Sequence, residues 1–122
     1  MQDPRDTVYT LGHSPDPDDA FMFYGLAEGR VDTRGYRFQH ILQDIETLNQ
    51  RAGRGELHIS AISMHAYAYV LDKYALLPCG ASMGEGYGPM LVSALDTTLT
   101  PAGAERDWVR RARIAVPGTM TS

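Results

Sequence analysis

Strand-like and helix-like stretches alternate along almost the whole chain, and this alternation limits the folds open to it. "TVYTLGHS" (residues 7–14) is rich in strand formers, with Val8, Tyr9 and Leu11. In "PDPDDAFMFYGLAEGRV", Ala20, Phe21, Phe23, Tyr24 and Ala27 fall near helical spacing, and Gly29 supplies a stop. "YRFQHILQ" reads as a second strand containing Phe38 and Ile41. "DIETLNQRAGRG" reads as a second helix, capped by Asp44, striped by Ile45, Leu48 and Ala52, and ended by Gly53 and Gly55. "LHISAIS" predicts a short strand, "MHAYAYVLDKY" a helix, and "ALLPCGAS" and "GPMLVSAL" further strands. "TPAGAERDWVRRA" predicts a helix with Thr100 as N-cap and Pro101 at its first position, and "RIAVPG" a closing strand. Strands joined by helical crossovers imply an α/β fold, with a mostly parallel sheet flanked by helices. The 122 residues suffice for one domain with a modest core, so residues 1–122 are expected to form a single α/β lobe. A strand followed by "PGTMTS" normally feeds a helix, because Thr and Ser there are natural N-caps. The chain is therefore expected to be cut off before that helix.

The net charge of -4 leaves no basic stripe for phosphates, so nucleic acid is not an expected partner. Arg110, Arg111 and Arg113 cluster, but as a solvated helix end. Cys79 is the one cysteine, which excludes a disulfide framework or a Cys-based zinc site within the chain. Its apolar neighbours predict a buried, inert thiol. The N-terminal "MQDPRDTVYTLG" is polar and has no apolar leader, and no apolar run approaches the ~18 residues that span a bilayer. A cytoplasmic protein away from the membrane is the expectation.

The stretch "HSPDPDD" gathers one histidine and three aspartates in seven residues. A calcium loop alternates its acids around a glycine and adds a distant glutamate. Here Pro17 stiffens the middle, no glycine follows, and the chain enters an apolar helix at Ala20. Zinc would need more His or Cys. The acids fit a helix start better. Pro15 and Pro17 keep the chain extended, Asp18 and Asp19 meet the positive end of the helix dipole, and Asp16 or Ser14 can accept its orphan amide hydrogens. No metal is expected. The loop also follows a strand, and in open parallel sheets ligands bind beyond the carboxyl ends of strands. "GHSPDP", with Ser14 and Asp16, is thus a candidate cleft wall suited to an anionic ligand. "AISMHAY", "GASMGEGYGPM" and "VPGTMTS" have the same placement. The second of these holds Gly84, Gly86 and Gly88, which suit a turn and a ligand loop equally.

"HSPDPDDAFMFYGL", "DIETLN", "AISMHAYAYV", "GEGYGPMLV" and "VPGTMTS" together resemble the N-terminal half of the 1,4-dihydroxy-6-naphthoate synthase family of the futalosine route to menaquinone. The resemblance runs in order along almost the whole chain. It implies one lobe of the two-lobed fold of type II periplasmic binding proteins. It also implies a lyase-type reaction without a cofactor, in which cyclic dehypoxanthine futalosine yields the dihydroxynaphthoate. Position by position, it assigns substrate contacts to Ala61, Ile62 and Ser63 and to Thr121 and Ser122. Ser63 and Ser122 would donate hydrogen bonds, with the substrate carboxylate as the expected acceptor. The family's catalytic base is a histidine of the second lobe, which would lie beyond Ser122. None of His13, His40, His58 and His65 matches it. His13 borders the expected cleft, His65 stands near its mouth, and His40 and His58 read as structural. The fragment alone is expected to be inactive.

Other readings share the fold class, which therefore cannot separate them. A solute-binding protein of a transporter would be exported. The related chorismate dehydratase is disfavoured by the "SPDPDDAF" loop. A lone α/β module with exposed apolar surface would self-associate, so a homo-oligomer is among the expected states.

Overall fold

The structure, a computed structural model, describes residues 3–86, 88, 92 and 109–121. The chain divides into two compact units, Met1–Ser82 with Pro117–Ser122, and Met83–Val116. The first unit carries the sheet. After a 3-10 turn at Pro4–Asp6, capped by the Asp3 carboxylate, come β1 (Val8–His13), α1 (Pro17–Ala27), β2 (Arg37–Leu42), α2 (Ile45–Arg54), β3 (Ile59–Ser60) and α3 (Met64–Tyr67). The strands are parallel in the order β2-β1-β3. Val8 faces Arg37 through to His13 facing Leu42, while Leu11 and Gly12 face Ile59 and Ser60. The fold is thus the expected α/β arrangement of parallel strands joined by helices.

α2 forms as its sequence indicates. The Asp44 carboxylate accepts the amide of Thr47 at 2.9 Å and its hydroxyl at 2.6 Å, closing the N-terminus. Gly53 lies inside the helix, and Gly55 alone ends it. Leu48, Asn49 and Ala52 are buried, and with Leu11, Leu57, Ala66 and Val70 they make the core. Gly12 is what lets α2 come this close to β1. A Cβ there would stand 2.7 Å from Leu48 Cδ2, 2.7 Å from Leu57 Cδ1 and 3.2 Å from Ser60 Oγ.

Several local expectations are corrected. The apolar stripe of α1 is not a core face: Phe21 is 86% and Tyr24 56% exposed, and the helix buries only Asp19. α3 stops at Tyr67, and the chain continues through turns held by shorter-range bonds, Val70 N to Tyr67 O (3.1 Å) and Lys73 N to Val70 O (2.9 Å). Aromatic and β-branched residues there resist a longer helix. Val70 is pinned in the core, and the Tyr74 hydroxyl donates to Leu57 O at 2.6 Å. "ALLPCGAS" forms no strand. Pro78 cannot donate to a ladder, Leu76 and Leu77 are exposed, and Gly80 turns the chain at a φ of 74°. Cys79 is exposed rather than buried. "RIAVPG" likewise forms no strand, and Ile114 and Val116 are exposed. The strand expected at "GPMLVSAL" and the start of the helix at "TPAGAERDW" lie outside the described residues, whereas residues 109–111 are helical.

Candidate functional site

The order β2-β1-β3 places a topological reversal at β1. One crossover leads from β1 to β2, and the next passes β1 to reach β3. Ligands of open α/β sheets bind at such a reversal, beyond the carboxyl ends of the strands. Two of the loops singled out in the sequence leave there side by side. β1 runs into Ser14–Asp16 and β3 into Ala61–Ser63, and the Ala61 amide donates to Gly12 O at 2.8 Å.

The first loop is tied down by its own acids. The Asp19 carboxylate, buried in the first turn of α1, accepts the Ser14 amide at 2.6 Å. Ser14 Oγ accepts the Asp16 amide at 3.1 Å. Asp16 sits at the N-cap but makes no side-chain bond to the helix, so the capping expected of Asp16 or Ser14 is replaced by this reverse clamp. A hydrogen bond from Ser82, and then the Asp19 amide, hold the exposed Asp18 carboxyl below its usual range. Ser14 is buried and Asp16 exposed. Among the described residues, no three His, Cys, Asp or Glu side chains gather closely enough to hold a metal ion.

The second loop is organised by a residue the sequence reading passed over. Asn49 on α2 is 1% exposed. Its Oδ1 accepts the Ser63 amide at 3.0 Å, and its Nδ2 donates to Ser63 Oγ at 3.1 Å and to Met120 O at 3.2 Å. One turn earlier, Glu46 Oε2 accepts the Met120 amide at 3.0 Å. Gly118 lies so close to Glu46 that a Cβ there would stand 2.6 Å from Glu46 Cγ. The segment of Thr121 is thereby held to the same face of α2 as the turn of Ser63. Thr121 is half-buried and its hydroxyl donates to Gly118 O at 3.3 Å, while Ser122 lies outside the described residues. Ala61 and Ile62 are half-buried and Ser63 is buried. Since the Ser63 amide is taken by Asn49, what Ser63 can offer a ligand is its hydroxyl hydrogen. Oγ already accepts from Asn49, which leaves that hydrogen for another acceptor.

The histidines are placed differently from one another. His13 is 5% exposed and stacks on Phe23, with ring centroids 4.6 Å apart, so its ring is held in packing. Its Nδ1 is 3.2 Å from Ser14 O and its Nε2 is 2.9 Å from His40 Nδ1. A carbonyl only accepts, so Nδ1 of His13 carries a hydrogen and, in the neutral pair, His40 Nδ1 donates to His13 Nε2. Burial first, and then the His13 ring, hold His40 below its ordinary 6.5. The folded state therefore takes up this proton at lower pH than the unfolded chain. Stability from this source is fully present above about pH 6.5 and declines as pH falls toward the folded value. We expect the urea midpoint to drop between about pH 7.5 and about pH 5.5, and His40→Gln to flatten that slope. An unchanged slope in the variant would assign the acid sensitivity to other groups. His58 Nδ1 accepts the Thr10 amide at 3.1 Å and its ring meets Tyr9 edge-on, a structural role. His65 is exposed and meets Tyr69.

The fold and its loops define an α/β protein with a polar site at the carboxyl edge of a parallel sheet. The chain belongs to the menaquinone biosynthesis family, whose sequence model matches residues 9–122. A relative from Thermus thermophilus, named 1,4-dihydroxy-6-naphthoate synthase, is 38% identical over 112 residues, which is 92% of this chain and 38% of that protein. One of the same name from Streptomyces coelicolor is 41% identical over 83 residues, 68% of this chain and 29% of that protein. A crystal structure of a protein from Archaeoglobus fulgidus matches with a TM-score of 0.62 and 51% identity, over 66% of this chain and 30% of that one. The chain thus spans well under half the length of the relatives it matches. Among the described residues, no helix is long and apolar enough to cross a membrane.

Proposed function

We propose that this chain supplies the substrate-binding first lobe of a cytoplasmic 1,4-dihydroxy-6-naphthoate synthase, which converts cyclic dehypoxanthine futalosine to 1,4-dihydroxy-6-naphthoate. The observation that carries this reading is the tie of Ser63 and the Met120 segment to Asn49. It brings together two of the loops that the family resemblance marks for substrate, on a chain 38% and 41% identical to enzymes of that name. The partner is a small anionic molecule. The Ser63 hydroxyl and the Thr121–Ser122 end of the last loop would hold its carboxylate, with Ala61, Ile62, Ser14 and Asp16 shaping the wall. The general base is a histidine outside residues 1–122, which must come within hydrogen-bond reach of the proton it removes. Closure of a second lobe over the bound substrate would bring it there.

The test is turnover. The full gene product, incubated with cyclic dehypoxanthine futalosine, should release 1,4-dihydroxy-6-naphthoate, while residues 1–122 alone should release none. Dehydration of chorismate by the full gene product, with the futalosine untouched, would overturn the assignment. Steady turnover by residues 1–122 would overturn the role given to the second lobe.

A further inference from the structure

Asn49 joins two pieces of chain that are far apart in sequence. Its bonds reach Ser63, 14 residues on, and Met120, 71 residues on. Its neighbour one turn back, Glu46, takes the amide of the same Met120. Both backbone polar groups of Met120 are therefore bound by side chains of one helix. Glu46 touches only the 117–121 segment in this network, whereas Asn49 touches both segments. An amide side chain is the group that can do this, because it offers an acceptor to the Ser63 N–H and donors to the Ser63 Oγ and the Met120 carbonyl at once. A buried residue that served packing alone would not need all three bonds.

We propose that Asn49 is a positioning residue for ligand binding. It latches the 117–121 segment to the Ser63 turn so that the two loops act as one element, and it fixes Ser63 Oγ as an acceptor so that the hydroxyl hydrogen points to ligand. The second half of this claim rests on the proposed function; the first half stands without it.

The experiment has two readouts on the full gene product. The first uses no ligand. Amide hydrogen exchange in Asn49→Ala should rise about tenfold or more both at the buried Ser63 and across the partly exposed residues 118–121, as expected when the hydrogen bonds that hold them are lost. A rise at Ser63 with residues 117–121 unchanged overturns the latch. If Asn49→Ala does not fold, Asn49→Asp decides. Its carboxylate still accepts the Ser63 amide but has no donor for Met120 O, so residues 117–121 alone should lose protection; unchanged protection there overturns the latch. The second readout is KM for cyclic dehypoxanthine futalosine in a double-variant cycle. Asn49→Asp should raise KM about tenfold beside Ser63 and clearly less in the Ser63→Ala background, where only the loosening of residues 117–121 remains to be felt. An equal penalty in both backgrounds overturns action through the hydroxyl. Absence of turnover in the unaltered protein removes the proposed function and with it the hydroxyl claim, while the exchange result still decides the latch.

Discussion

Gly12→Ala should destabilise the protein by about 1–3 kcal/mol and Leu48→Ala by about 2–5 kcal/mol, yet the double variant should lose clearly less than the sum. The reason is local. The methyl group added at residue 12 would stand 2.7 Å from Leu48 Cδ2 and 2.7 Å from Leu57 Cδ1. Neither leucine can yield easily, since Leu48 is fully buried and Leu57 nearly so. Replacing a glycine also restrains the unfolded chain, a gain of about 0.4–1 kcal/mol. That is smaller than the cost of overpacking, so the net sign stays unfavourable. Leu48→Ala removes the atoms the new methyl would strike and leaves a space it can partly fill. Urea unfolding of the two single variants and the double variant measures the coupling. Strict additivity would mean that α2 does not pack on β1 through Gly12.

Under the proposed function, Ser63→Ala in the full gene product should lower kcat/KM for cyclic dehypoxanthine futalosine by about 10- to 100-fold, the range expected for one hydrogen bond to a charged group. Stability should change much less. The Ser63 amide keeps its bond to Asn49 Oδ1, and only the bond between Asn49 Nδ2 and Ser63 Oγ is lost. Asn49 Nδ2 still has Met120 O. Ser63→Thr keeps the hydroxyl and should retain more activity than Ser63→Ala. A Ser63→Ala enzyme with normal kcat/KM would remove this hydroxyl from the substrate contacts, and a large fall in urea midpoint would make its role structural.

What was legible in the sequence depended on whether the signal was local. α2 announces itself through a capping aspartate, an apolar stripe and a glycine stop, and Leu48 and Ala52 are buried as that stripe requires. β1 and β2 were legible from their β-branched and aromatic residues. α1 was legible as a helix but not as a surface, because spacing shows which side chains share a face and not what covers them; Phe21 and Tyr24 are exposed. "ALLPCGAS" misled because a short apolar run suits a strand only if a partner strand is beside it. The acidic loop was legible as helix-start chemistry, yet the working contact is Asp19 reaching back to the Ser14 amide, not Asp16 capping forward. The "AISMHAY" loop was legible from its place after a strand, whereas the substrate contact at Ser63 comes only from the family resemblance. Asn49 stands at the i+4 place of the stripe formed by Ile45, Leu48 and Ala52, so its burial was legible, but its partners were not, because its role depends on Met120, 71 residues away.

The Ser63 turn and the segment ending at Thr121 are proposed to hold one substrate carboxylate together. The most direct measurement is a crystal structure of the full gene product soaked with 1,4-dihydroxy-6-naphthoate. The product carboxylate is expected within hydrogen-bond distance of Ser63 Oγ and beside residues 121–122, with the bonds of Asn49 to Ser63 and Met120 intact. Product bound elsewhere, with Ser63 Oγ and residues 121–122 untouched, would contradict it.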